Sequence, residues 1–204
     1  MNLNKISAAE LIRVASPTDA DDILAIYAPI VRDTTISFEL EPPTREEMRQ
    51  RILNTLSSLP WLVLEADQKV RAYAYASPHR SRLAYQWSVD VSVYVDPQAY
   101  RRGYGRRLYR PLLEILRAQG YFTAYAGIAL PNEPSIGLHE AAGFKMIGIF
   151  RNVGYKVNGW RDVGWWELAL RHYDQSPLPP RQFKELVGSA ELEQLLTEDW
   201  SAFQ

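Results

Sequence analysis

The chain has 204 residues, with 23 basic and 24 acidic side chains and a formal net charge of −1. That length supports one domain with a substantial core, and the near-neutral balance supplies no long-range attraction toward nucleic acid. The absence of cysteine excludes a disulfide framework, a thiolate nucleophile and a cysteine-based zinc or iron–sulfur site.

The first residues lack the basic start and apolar stretch of a signal peptide, and no run approaches the roughly 20 apolar residues needed to cross a bilayer. The expectation is a cytoplasmic protein with no membrane partner. Leu11 to Val14 reads as a first strand, and Thr18 is placed to cap a helix carrying Ile23, Ile26, Tyr27 and Ile30 on its apolar side. Thr34 to Glu39 fits a short helix, a strand or a loop covering a pocket. Thr44-Arg45-Glu46-Glu47 has capping-box spacing ahead of Met48, Ile52 and Leu56, so a second helix follows.

Trp61 to Leu64 and Val70 to Ala76 read as strands joined by a turn at Asp67-Gln68-Lys69. From Gln86 to Val95 the chain alternates, with Trp87, Val89, Val91, Val93 and Val95 on one side and Asp90, Ser92 and Tyr94 on the other. Asp90 is therefore carried opposite an apolar face, either as a hydrogen-bonded surface carboxylate or as a base toward a cleft. Asp96-Pro97 ends this strand, and Arg101-Arg102-Gly103-Tyr104-Gly105 leads into a helix from Arg106 whose core side holds Leu108, Leu112, Ile115 and Leu116. Glycines before a helix start allow close backbone approach, and the unpaired N–H groups there favour an anion such as a pyrophosphate. Arg101, Arg102, Arg106 and Arg107 add positive charge. By itself the turn fits an ordinary strand-to-helix connection equally well, and Pro111 sits where it would bend the helix.

Farther along, Asn132-Glu133-Pro134-Ser135 reads as a turn into a helix that carries His139. Phe144 to Phe150, Tyr155 to Val157 and Val163 to Ala169 read as strands completing a mixed sheet. The aromatic run Gly159-Trp160-Arg161-Asp162-Val163-Gly164-Trp165-Trp166 belongs either to the cleft or to a subunit interface. Pro177, Pro179 and Pro180 mark a departure after Leu170, followed by short helices at Phe183 to Leu186 and Ala190 to Leu196. The expected division is a main domain over residues 1–173 and a C-terminal extension over 174–204.

From about Ile12 to Leu170 the sequence resembles the GCN5-related N-acetyltransferases, and within them the phosphinothricin and methionine sulfoximine N-acetyltransferases. The resemblance is carried by Phe38-Glu39, Tyr85-Gln86-Trp87-Ser88-Val89-Asp90, Val93-Tyr94-Val95, Leu130-Pro131-Asn132-Glu133-Pro134-Ser135, Leu138-His139-Glu140-Ala141-Ala142-Gly143-Phe144 and Asn158-Gly159-Trp160-Arg161-Asp162-Val163-Gly164-Trp165-Trp166. It implies an α/β (α+β) fold with a mixed central sheet flanked by helices and a splayed acetyl-CoA cleft. It also implies that the loop of Arg101, Arg102, Gly103, Tyr104, Gly105 and Arg106 receives the cofactor phosphates. Val93, Tyr94 and Val95 border the cofactor, backbone N–H groups near Ser92, Val93 or Tyr94 polarise the acetyl carbonyl, and Asn132 with Ser135 holds the pantetheine arm.

The same resemblance makes Asp90 a base toward the amine and His139 a proton-transfer group near the thioester, with no metal. Two positions depart from the family pattern. Tyr100 stands where glutamine or arginine is usual, and Asp90 replaces a glutamate, shortening the side chain by about 1.5 Å, one carbon–carbon bond. Misplacement by about 1 Å costs roughly 100-fold in rate. Phe38, Arg80, Arg82 and Tyr85 match regions that enclose or anchor a small amine substrate, and the family habit is a homodimer. Acetylation of a polyamine or peptide, or CoA binding without turnover, are the alternative readings.

Overall fold

A computed structural model describes residues 10–173 and 176–198. The sequence readings for the first residues and for the boundary at 174 fall partly outside these. Among the described residues, seven strands form one sheet in the order β1-β2-β3-β4-β5-β7-β6. In chain order the elements are β1 (Leu11–Val14), α1 (Ala20–Asp33), α2 (Arg45–Leu56), β2 (Trp61–Ala66), β3 (Lys69–Pro78), β4 (Ser88–Val95), α3 (Tyr104–Gln119), β5 (Thr123–Ala129), α4 (Glu133–Ala141), β6 (Lys145–Lys156), β7 (Gly159–Ala169) and α5 (Ala190–Thr197). No helix is long and apolar enough to cross a membrane among the described residues.

Local chemistry sets several boundaries. The expected box before α2 is present: the Thr44 hydroxyl accepts from the Glu47 N–H at 3.2 Å, and Glu47 accepts from the Thr44 N–H at 2.7 Å. Ahead of α1 the capping residue is Ser16 rather than Thr18, because a short 3-10 turn at Pro17–Asp19 precedes the helix. Asp67 and Gln68 both take positive φ, 54° and 59°, giving the tight hairpin between β2 and β3. Thr34 to Glu39 is loop. It is tied down by Lys156, which donates to the carbonyls of Val31 and Ser37, and by Tyr27, whose hydroxyl donates to Glu39. β5 was not singled out in the sequence; it is short and rich in small residues. The segments read as separate strands at 144–150 and 155–157 form one long β6 with register shifts against β7.

The helices cover the two sheet faces unequally. One face packs Leu62, Leu64, Ala72, Ala74, Val89, Val91 and Ala124 against Leu108, Leu112, Ile115 and Leu116 of α3. Trp61, Val63 and Tyr73 on the opposite face pack against Ile23, Ile26 and Ile30 of α1 and Ile52 of α2. The described part of the C-terminal extension joins the α3 side, burying Phe183, Leu186 and Leu192 there. Its backbone is fastened by the Phe183 N–H to Ser58 at 3.1 Å and by the Gln119 side chain to the Arg181 carbonyl at 2.7 Å.

The functional consequence lies between β4 and β5. They pair in parallel over only Ser88↔Thr123, Val89↔Ala124 and Asp90↔Tyr125, and beyond Asp90 the ladder stops. β4 continues to Val95 on β3 alone, while β5 continues to Ala129 on β7. The sheet is thus split into a V whose apex is at Asp90.

Candidate active site

At the wide end of the V stands the N-terminus of α3. It starts at Tyr104, two residues earlier than its apolar pattern implies, and its first turn has no side-chain cap. Gly103 supplies the left-handed turn, φ 75°, and Arg101 also takes a positive φ of 63°. Gly105 is tightly enclosed: a Cβ there would lie 3.1 Å from the Leu138 side chain, which would have to yield, and 3.7 Å from Val93 and Val95. Its smallness lets the helix start sit close to β4 and α4. The N–H groups of the first turn therefore point out of an uncapped helix end, a geometry suited to a phosphate. Arg101, Arg102 and Arg106 are exposed around it. Tyr104 is buried, and its hydroxyl donates to Glu10 at 2.7 Å, while Arg107 donates to the same carboxylate. Those hydrogen bonds, with the nearby positive charge of Arg107 and Arg102, hold Glu10 below its ordinary range. Tyr104 therefore shapes the loop.

Val93 and Val95 direct their side chains toward Gly105. The Tyr94 ring lies on the opposite face, edge-on to Tyr27 at 5.1 Å and stacked on Tyr73 at 5.2 Å. Only the backbone of this stretch is offered to the V. On the other arm, Asn132 caps α4 by accepting from the Ser135 N–H at 3.3 Å.

His139 lies on α4 and is only 4% exposed. Its Nδ1–H donates to the Ser135 carbonyl at 2.7 Å, which leaves Nε2 to accept from the Tyr109 hydroxyl at 2.6 Å. Burial lowers the His139 pKa and raises that of Tyr109. The imidazole also meets Tyr109 and Phe144 edge-on. Both ring nitrogens are occupied, so the direct proton-transfer role implied by the resemblance has no open nitrogen in this geometry.

Asp90 is at the apex and projects to the opposite sheet face from His139. Its Oδ1 accepts from Nδ1–H of His79 at 2.7 Å. Burial raises the Asp90 pKa, and the hydrogen bond and charge of His79, with Arg80, partly offset this. The His79 ring stacks on Tyr125 of β5 at 4.4 Å and meets Tyr85 and Trp165 edge-on at 6.1 and 6.0 Å. Trp165 lies over Gly127, whose missing side chain leaves the indole 3.3 Å from where a Cβ would stand. The Trp165 indole N–H is buried without a partner among the described residues. Arg80 donates to the His79 carbonyl at 2.9 Å and lies 5.9 Å over the Trp165 ring.

Of the four expected substrate residues, Tyr85 and Arg80 are gathered with Asp90 around His79. Arg82 makes no side-chain hydrogen bond or ion pair among the described residues. Phe38 is elsewhere, covering Gly154 of β6 so closely that a Cβ there would lie 2.2 Å from its ring. On the Asp90 face there is also a cavity of about 270 Å³ lined by Tyr27, Arg51, Trp61, Tyr73 and Tyr75 among others. Neither Asp90 nor His79 lines it.

The Acetyltransferase (GNAT) domain family matches residues 12–165. The chain belongs to the GNAT acetyltransferase family. It is 39% identical over 176 residues to a phosphinothricin N-acetyltransferase of Streptomyces viridochromogenes, covering 86% of this chain and 94% of that one. It is 34% identical over 162 residues to an L-methionine sulfoximine/L-methionine sulfone acetyltransferase of Pseudomonas aeruginosa, covering 78% and 94%. A GNAT superfamily phosphinothricin acetyltransferase from Sinorhizobium meliloti, solved in complex with AcCoA, superposes with a TM-score of 0.80 at 30% identity, over 83% of this chain and 93% of that one.

This GNAT chain is accordingly an N-acetyltransferase using acetyl-CoA. The residues present fit that cosubstrate: an uncapped helix end for its phosphates, and a split sheet with unpaired backbone along β4 and β5 for its pantetheine arm. In this GNAT site the sequence reading missed His79 and Tyr125, while Trp165 belongs to the aromatic run read as either cleft or interface. The mate of His79 is 11 positions away, and the pair forms only because the antiparallel register sets Ser77 opposite Asp90 and the Pro78 step carries His79 beyond it. A histidine just past the end of β3, beside Arg80 and Tyr85, was the available signal.

Proposed function

We propose that the chain acetylates the amino group of a small amino acid-like substrate with a carboxylate or a tetrahedral acidic head group, in the class of phosphinothricin and methionine sulfoximine or sulfone. The observation that carries this reading is the halt of the β4–β5 ladder at Asp90, with an anion-binding helix end on one side of the opening and a caged carboxylate on the other. Phosphates enter at Gly103 to Arg106, pantetheine runs along Val93 to Val95 and past Asn132 and Ser135, and the amine approaches from the Asp90 face. Arg80 and Arg82 attract the acidic head group through charge-assisted hydrogen bonds, and the unpartnered Trp165 N–H supplies a further donor. Backbone N–H groups along β4 polarise the acetyl carbonyl. Asp90 organises removal of the amine proton, and transfer is direct. His139 braces α4 against α3 and thereby sets the wall that Asn132 and Ser135 form.

Purified protein with acetyl-CoA should release CoA on addition of phosphinothricin or methionine sulfone and much less with polyamines or peptides. CoA release with polyamines or peptides alone would reject the substrate class, and none with any amine would reject the activity. A cytoplasmic location goes with this reading.

We further propose a homodimer through the β6 side of the sheet, where Met146, Ile147, Phe150, Val153, Tyr155 and Trp160 are all exposed on a terminal strand and its hairpin. Sedimentation should give a dimer that Val153→Asp converts to a monomer; a monomeric parent protein would refute it.

A further inference from the structure

Asp90 poses a problem of reach, and His79 answers it. The carboxylate is one methylene shorter than the glutamate of the family pattern, and one of its oxygens is already taken by His79 at 2.7 Å. Between the two neutral tautomers, a hydrogen bond from Nδ1–H to a carboxylate selects the one whose Nε2 carries a lone pair. Nε2 makes no hydrogen bond among the described residues. The ring is held in plane by stacking on Tyr125 and is walled by Tyr85 and Trp165. The charged and titratable groups around it are Asp90 on β4, Tyr125 on β5, and Arg80 and Tyr85 on the connection from β3 to β4. A carboxylate, an oriented imidazole and an open second nitrogen form the acceptor half of a relay in which the carboxylate positions and the imidazole takes the proton.

Resting on the acetyl-transfer reading, we infer that His79 is the catalytic base for the amine, through Nε2, and that Asp90 is its positioning residue. His79 takes one proton from the substrate ammonium and passes it to solvent. The freed nitrogen lone pair forms the bond to the acetyl carbon, and the carbon–sulfur bond breaks. The second proton leaves that nitrogen for the departing thiolate, so the products are the N-acetyl compound, CoA thiol and one solvent proton. The reach lost by shortening glutamate to aspartate is thus restored by the imidazole.

Two measurements on the full-length protein test this. In ¹⁵N-labelled protein the neutral His79 ring, assigned by its loss in His79→Phe, should carry its proton on Nδ1 with Nε2 bare; a proton on Nε2 alone would overturn the inference without any reference to turnover. In the CoA-release assay His79→Phe, which keeps the stacking but has no nitrogen, should lower kcat/KM for the amine by about 100-fold, with acetyl-CoA affinity unchanged. His79→Gln should behave likewise if the phenylalanine variant folds poorly. Asp90→Asn should add little to the loss in His79→Phe, because the two act as a unit. Parent-like kcat/KM in both His79 variants, beside a working parent enzyme, would overturn the inference and leave acetyl transfer standing. No CoA release by the parent protein would instead reject the acetyl-transfer reading, and the ring tautomer would then judge the His79–Asp90 arrangement alone.

Discussion

His79 and His139 each donate through Nδ1 at 2.7 Å, but to acceptors that differ in kind. His79 faces a carboxylate, and its second nitrogen is open within a ring of aromatic side chains. His139 faces a main-chain carbonyl, and its second nitrogen is already filled by the Tyr109 hydroxyl at 2.6 Å. One lies on the sheet face that carries Asp90, and the other lies on the face packed by α3. The motif around His139 is the conspicuous one in the sequence, yet the open nitrogen belongs to the inconspicuous His79. A residue type marks a position as able to do chemistry; the unoccupied atom decides whether it can.

The largest expected effect is at the carboxylate. Asp90→Asn should reduce kcat/KM for the amine by up to about 100-fold, no more than the loss of His79 through which it acts, with acetyl-CoA affinity measured by calorimetry unchanged. A loss shared equally by acetyl-CoA binding would place Asp90 in cofactor binding and dissolve the contrast. His139→Ala comes next, and its effect should be on folding: it removes a buried ring and strands the Tyr109 hydroxyl, costing about 2–4 kcal/mol in urea unfolding. An unchanged midpoint would show that the brace carries no load.

Trp165→Phe keeps a ring over Gly127 but deletes the unpartnered N–H. It should raise KM for the amine by about fivefold, the loss of roughly 1 kcal/mol of hydrogen bonding, while kcat and acetyl-CoA affinity hold. No change in KM would remove Trp165 from substrate recognition.

The smallest effect is a pH dependence of stability on the His139 face. Burial holds its folded-state pKa below the ordinary 6.5. As pH falls, the unfolded chain therefore takes up this proton first. The stability due to neutral His139 is complete above about 6.5 and declines below it toward the folded-state value, by at most about 1.4 kcal/mol per pH unit. Urea midpoints of the parent should fall over that window more steeply than those of His139→Ala. Parallel slopes would show that His139 is not buried in its neutral form.

How much of this was legible in the sequence follows from the range of the interactions. The capping box at Thr44, the face alternation of β4 and the glycines before α3 are local, and each could be read within a few residues. The start of α3 at Tyr104 was missed because backbone geometry at Gly103 fixes it, ahead of the apolar pattern. The split between β4 and β5 leaves no local trace, since it is an absence of hydrogen bonds between strands some 30 residues apart. The saturation of His139 depends on Tyr109 from another helix, and the pairing of His79 with Asp90 depends on strand register. The resemblance supplied the cleft and its cosubstrate; the contacts that separate an open histidine from a closed one required coordinates.

The most direct test places the two histidines in one assay: kcat/KM for the amine in His79→Phe and in His139→Ala, at a temperature where circular dichroism shows both folded. The expected result is a loss of about 100-fold in the first and a change within about fivefold in the second, which corresponds to roughly 1 kcal/mol. Near-parent activity in His79→Phe together with a collapse in His139→Ala would return the chemistry to the α3 face and contradict the account.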